Sequence, residues 1–214
     1  MEVQADWEIA GPADIRNWAV DSTVELAFDI LAMLKASENP PMLPPSVESV
    51  RDLAGCWWIA HTKARFEKAL ARDLLRCAAG YYLPLMERVN ISRGRKSKSL
   101  KPLFPSYVFV CGTEDDRSAA LKTNRICRMI EVPDQTALID ELANIEKAIA
   151  GSVQLDPYPF AVKGRRCRVS AGLLQGLEGI VVRRAGSSVL VLQVNMIAQA
   201  ATLQIDADLL IPVN

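Results

Sequence analysis

The side chains that can do chemistry in this sequence are cations and aromatic rings, and they fall in two groups. The first is the basic set Lys63, Arg65, Lys68, Arg72 and Arg76, just beyond the apolar stretch Cys56-Trp57-Trp58-Ile59-Ala60-His61, which carries the only histidine of the chain. The second is the basic run Ser92-Arg93-Gly94-Arg95-Lys96-Ser97-Lys98-Ser99, followed by Lys101-Pro102-Leu103-Phe104-Pro105-Ser106-Tyr107-Val108-Phe109-Val110. Cations interleaved with rings suit an interaction surface: the charges meet phosphate or carboxylate, and the rings stack or bury apolar groups. The competing reading is a half-buried strand behind a solvated loop, and composition alone favours that one.

Catalytic sets are missing. No Ser/His/Asp combination, phosphate-binding glycine loop or metal-ligand spacing is present. The five cysteines, at 56, 77, 111, 127 and 167, form no CxxC pair. Neither a zinc site nor a disulfide framework is expected, and a reducing cytoplasm is the expected location. The expectation is therefore no enzyme, no catalytic residue, no metal and no cofactor. No apolar run approaches the ~20 residues of a membrane span, and no signal-peptide pattern opens the chain, so no membrane association is expected.

The elements that must position the two groups follow from periodicity. Cys56 to His61 is a strand, and a helix is expected from Lys63 to Ala79 with Thr62 as its cap. Its apolar face would be Phe66, Leu70, Leu74 and Cys77. Gly80 ends it, and Tyr81 to Leu85 is a second short strand. The basic run is expected as a loop, and the two prolines Pro102 and Pro105 as a rigid entry into the strand Ser106 to Cys111. Alternation puts Tyr107 and Phe109 on one face of that strand and Val108 and Val110 on the other. The pair Thr113 and Asp116 resembles a capping box for a helix from Glu114 to Lys122. A strand Ile126–Val132 and an amphipathic helix from Asp134, with Leu138, Ile139, Leu142, Ile145 and Ile149 inward, run to Gly151.

Beyond the proline-rich Asp156-Pro157-Tyr158-Pro159-Phe160, five short strands with glycine turns are expected to form a small β-barrel. The expected fold is thus α+β: an antiparallel sheet flanked by helices over residues 55–150, a linker at 151–160 and a five-stranded barrel over 161–214. Residues 1–54 are expected as an appendage with one helix from Asp21 and a spacer rich in proline. Charge separates it from the rest. Residues 1–54 hold ten acidic and three basic residues, 55–160 twelve and sixteen, and 161–214 three and six, within a chain of net charge zero. An acidic leader on a basic body either competes for the basic face or is only a soluble tail.

Trp57-Trp58-Ile59-Ala60-His61-Thr62 with Phe66-Glu67-Lys68, and then Pro102 to Val110, resembles the N-terminal (NGN) domain of NusG transcription elongation factors. The stretch Lys163 to Ser170 with Gly172, Gly176, Leu177, Glu178, Gly179 and Ile180 is similar to the KOW motif that follows in that family. The resemblance implies a non-enzymatic, monomeric factor that bridges the clamp helices and gate loop of RNA polymerase and favours processive transcription. It implies a clamp contact at Phe104, Pro105, Tyr107 and Phe109, and a gate-loop contact near Arg117 and Ser118. It implies nucleic-acid contacts, including the displaced non-template strand, for Lys63, Arg65, Arg93, Arg95 and Lys96. Gly172, Gly176 and Gly179 would shape the KOW turn, the side of the family that meets ribosomal protein S10 or Rho. The loop Ala171-Gly172-Leu173-Leu174-Gln175-Gly176 lacks the usual proline and aromatic, which points to a specialised paralogue of the RfaH kind acting on particular operons. The alternative from another class is an RNA-binding or ribosome-associated KOW protein.

Overall fold

A computed structural model describes residues 39–92, 95–151, 155–158, 164–184 and 187–213. The described residues belong to one compact unit, which begins at Asn39. The helix expected from Asp21, and Arg93 and Gly94, lie outside the described residues.

This unit is built on a four-stranded sheet in the order β2-β5-β1-β6. Its strands are β1 (Cys56–Thr62), β2 (Gly80–Tyr82), β5 (Tyr107–Gly112) and β6 (Ile126–Glu131), with β5 and β6 antiparallel to β1 on either side. Alternation along β5 sorts the side chains as expected. Phe109 joins a core with Trp57, Ile59 and Tyr82, whereas Val108 and Val110 join one with Ala60, Leu70 and Leu74. Helices α1 (Glu67–Arg76) and α2 (Glu114–Lys122) serve the second core, which takes in Leu70, Leu74 and Ala120, and α3 (Gln135–Ala150) serves the first. The capping box at Thr113 forms: its hydroxyl accepts from Asp116 N, and the Asp116 carboxylate accepts from Thr113 N at 2.7 Å.

Four expectations change. Helix α1 starts at Glu67, not Lys63, because Lys63 N donates to Arg125 O at 2.9 Å and Arg65 takes φ +67. Residues 63–66 therefore form a crossing loop. Thr62 remains in β1, and Phe66 and Cys77 are exposed while Ala71 takes their place in the core. The basic run is strand, not loop: β3 (Leu85–Ser92) and β4 (Arg95–Pro102) pair over their whole length as a separate two-stranded ribbon. Residues 39–54 are no loose appendage. Val50 is fully buried, and Val50 N and Ser49 Oγ donate to the Glu146 carboxylate on α3 at 3.2 and 2.8 Å. Finally, the five strands expected in the C-terminal region are all present, within an antiparallel sheet that gains a sixth. Its order is β12-β8-β9-β10-β11-β7, with β8 (Arg165–Val169), β9 (Glu178–Arg184), β10 (Ser187–Val194), β11 (Gln199–Ile205) and β12 (Leu210–Pro212). The sixth strand, β7 (Asp156–Tyr158), comes from the stretch read as linker.

The two sheets share α3. Leu138, Leu142 and Ile145 belong to the same buried cluster as Leu190, Leu192 and Val194 of β10. Polar contacts border this seam. Asn195 donates its backbone N–H to Glu141 at 3.1 Å and its side-chain amide to the same carboxylate, Glu178 N donates to Asn144 at 3.4 Å, and Lys147 donates to Gln175 O.

Candidate interaction surface

One end of the four-stranded sheet gathers most of the residues singled out in the sequence. β1 finishes there, β5 begins there, and the β3–β4 ribbon springs from it through the bond from Leu103 N to Pro84 O at 2.9 Å. Across this end the direct register partners are Tyr107, His61 and Arg128, so the three share one face. One step inward, the same rows hold Phe109, Ile59 and Ile130. The sheet thus changes from closed core to open, polar face within two residues. Tyr107 and His61 are half-buried with ring centroids 5.1 Å apart, and Arg128 is exposed.

Three loops meet at this end, and each contains a non-glycine residue in the left-handed region: Arg65 at φ +67, Ser106 at φ +67 and Asn124 at φ +57. Such conformations are strained for residues with a Cβ and persist only where surrounding bonds fix them. At Ser106 and Asn124 such bonds are present. Thr62 N donates to Ser106 O at 2.8 Å, Lys63 Nζ to Asn124 O at 2.7 Å, and Ser106 N to Glu67 Oε1 at 2.6 Å. Arg125 is ion-paired to Asp73 and lies over the Phe66 ring at 5.6 Å. The surface is therefore pre-organised, with Pro105, Lys63 and Arg65 exposed on it.

The remaining sequence-derived residues distribute unevenly. Phe104 and Phe109 are fully buried, packed edge to face at 6.3 Å, so they shape the loop from beneath and offer no ring to a partner. Lys96 is exposed on β4; Arg95 lies on the same strand. Arg117 and Ser118 sit on α2, which starts at the opposite end of the sheet; Arg117 is engaged by Glu114 and is part-buried. Gly172 and Gly176 both have positive φ, +82 and +84, and bracket a turn closed by Gln175 N to Gly172 O at 3.0 Å. Leu173 at its tip is 86% exposed. His61 and Arg128 were not assigned to the surface from the sequence; strand alternation counted outward from Tyr107 is the signal that finds them.

A cleft of about 410 Å³ lies between α3 and the second sheet, with Asp140, Glu141, Glu178 and Arg166 among its walls. Its carboxylates are already engaged, by Arg51, Asn195 and Arg168 respectively. Burial raises the pKa of Glu141, against the lowering effect of its bonds to Asn195. Among the described residues no group of three or more His, Cys, Asp or Glu side chains is placed to hold a metal ion. No described helix is long and apolar enough to cross a membrane.

The architecture is an α+β domain followed by an antiparallel β-sheet. Residues 55–151 match the model of the NusG family, described as transcription termination factor NusG, and this match spans just under half of the 214-residue chain. Among solved structures, the chain is similar to one described as domain interaction in Thermotoga maritima NusG. That pair shares 14% identity, covers 74% of this chain and 97% of the other, and has a TM-score of 0.40. A crystal structure of an MjSpt4:Spt5 complex, conformation B, gives 17% identity, the same two coverages and a TM-score of 0.23. No curated protein matches the chain.

Proposed function

We propose that this chain is a NusG-like transcription elongation factor that acts by binding RNA polymerase and carries out no catalysis of its own. The observation that carries the reading is the convergence of Pro105, Tyr107, His61, Lys63 and Arg65 on one pre-organised sheet end, within the segment that matches the NusG model. Pro105 and Tyr107 contact the polymerase clamp helices, with Phe104 and Phe109 holding the loop in shape. Arg117 and Ser118 face the gate loop, farther along the same domain. Lys63 and Arg65, with Arg95 and Lys96 of the ribbon, contact nucleic acid such as the displaced non-template strand, and Arg93 is assigned the same role. A factor that grips both sides of the channel favours the closed conformer in proportion to its differential affinity, and pausing falls accordingly.

The turn framed by Gly172 and Gly176 presents Leu173, a different tip from the family's aromatic one; Gly179, expected in the same turn, lies instead in β9, paired with Cys167. The turn serves a partner such as ribosomal protein S10 or Rho, in a monomeric cytoplasmic factor with antitermination activity on particular operons. The test is binding of the full chain to core RNA polymerase, followed by single-round transcription through a pause site. Saturable binding and shortened pausing are expected. A chain that binds RNA with a steep salt dependence but ignores the polymerase overturns the reading in favour of a ribosome-associated role.

A further inference from the structure

Glu67 is the first residue of α1, and its side chain is only 6% exposed. Its Oε1 accepts the Ser106 N–H at 2.6 Å, while the Ser106 carbonyl accepts Thr62 N at 2.8 Å. Both backbone polar groups of Ser106 are therefore held while the residue stands at φ +67. The helix N-terminus favours a negative charge at this position, and a bond to an ionised acceptor is stronger than a neutral one. The neighbours of Ser106 are the exposed Pro105, which has no N–H of its own, and Tyr107, which faces His61.

We propose that Glu67 is the positioning residue of this surface: its buried carboxylate holds Ser106 in the left-handed conformation and thereby sets how Pro105 and Tyr107 are presented to a partner. The proposal rests on the reading of this sheet end as polymerase-facing. Without the carboxylate, the Ser106 N–H is left without a partner and the residue relaxes toward negative φ, turning Pro105 and Tyr107 together. A helix-capping role alone predicts something different, namely a change confined to the stability of α1.

The test uses the full chain, core RNA polymerase as probe, thermal unfolding, and hydrogen exchange of the Ser106 amide. Glu67→Ala is expected to speed that exchange and to weaken polymerase binding about tenfold. Glu67→Gln keeps an acceptor oxygen in place and is expected to retain both. Adding Ser106→Gly to Glu67→Ala recovers part of the affinity, since glycine adopts this φ freely. A folded Glu67→Ala chain that binds like wild type overturns the proposal, as does a Glu67→Gln chain that loses as much as Glu67→Ala. One measurement needs no substitution: rapid exchange of the Ser106 amide in the wild type also overturns it. Absence of polymerase binding by the wild type overturns the functional reading instead. The strut itself is then judged by exchange alone, and is overturned if the Ser106 amide exchanges rapidly in the wild type or equally in wild type and Glu67→Ala.

Discussion

Arg88 Nη1 lies 2.8 Å from Asp156 Oδ1, and Arg88 Nη2 donates to Leu155 O at 3.3 Å. One side chain thus fastens the basic ribbon to the first strand of the second sheet. Asp156 is exposed, so solvent screens the pair and its stability contribution is small, about 0–1 kcal/mol. Its effect is on motion. Arg88→Ala is expected to leave the unfolding midpoint nearly unchanged and to accelerate amide exchange along β3 and β4. Equal exchange in both proteins would show that the pairing within the ribbon holds it unaided.

Buried and half-buried rings on β5 should separate stability from binding. Phe109→Ala removes a fully buried ring and is expected to cost about 3–5 kcal/mol in chemical denaturation. Tyr107→Ala, at the open end of the same strand, should cost far less stability and weaken polymerase binding about tenfold. Titration of both variants against core polymerase decides whether the two effects part as stated.

Val50 makes the segment before Gly55 part of the core. Val50→Ala is expected to destabilise the protein by about 2 kcal/mol. A chain beginning at Gly55 should lose more, because it also strips the Ser49 and Val50 donors from Glu146. Denaturation curves of the two shortened or substituted chains beside wild type measure this directly.

These outcomes mark where the sequence was legible. The alternation Tyr107-Val108-Phe109-Val110 was readable because each face of β5 meets a different core. The Thr113–Asp116 cap was readable because it is local. The start of α1 was not. Lys63, Phe66 and Leu70 fall at helical spacing, yet Lys63 N is taken by Arg125, a residue sixty-two positions away. β4 was missed because Arg95 to Ser99 has weak strand propensity, and its pairing with β3 supplies what the local sequence lacks. Val50 was missed because Val47, Val50 and Leu53 recur over too short a stretch to show which of them is buried. Phe104 and Phe109 had the composition of a contact surface, and only packing shows that they lie beneath it.

The glycines of the second sheet should differ in what they tolerate. An added Cβ at Gly172 meets nothing within 4 Å, so Gly172→Ala pays only for its φ of +82, roughly 1 kcal/mol. At Gly179 the same atom would fall 2.6 Å from Val191 O, against the backbone of β10. Gly179→Ala is expected to be the more damaging, by roughly 1–3 kcal/mol in thermal or chemical unfolding.

Cys111 provides a pH signature. Burial, with lesser effects from Cys56 and Asp116, pushes its thiol up to about 12 from an ordinary 9.0. The group is neutral in the folded chain where the unfolded chain already ionises. Its stabilising effect is therefore full below pH 9.0 and is lost as pH rises from there towards about 12. Cys111→Ser should flatten that alkaline decline. In native protein at pH 8, a thiol reagent should label the exposed Cys56, Cys77 and Cys127 and spare Cys111 and Cys167.

Helix α3 serves as a common wall for two sheets that are joined through the short stretch after Gly151. Tethering at that distance keeps each side at an effective concentration in the millimolar range with respect to the other. Any outside ligand that needs the α3 face or the inner face of β10 must outcompete a resident present at millimolar level. Its apparent affinity is then weaker than its intrinsic affinity by the fraction of time the seam stands open.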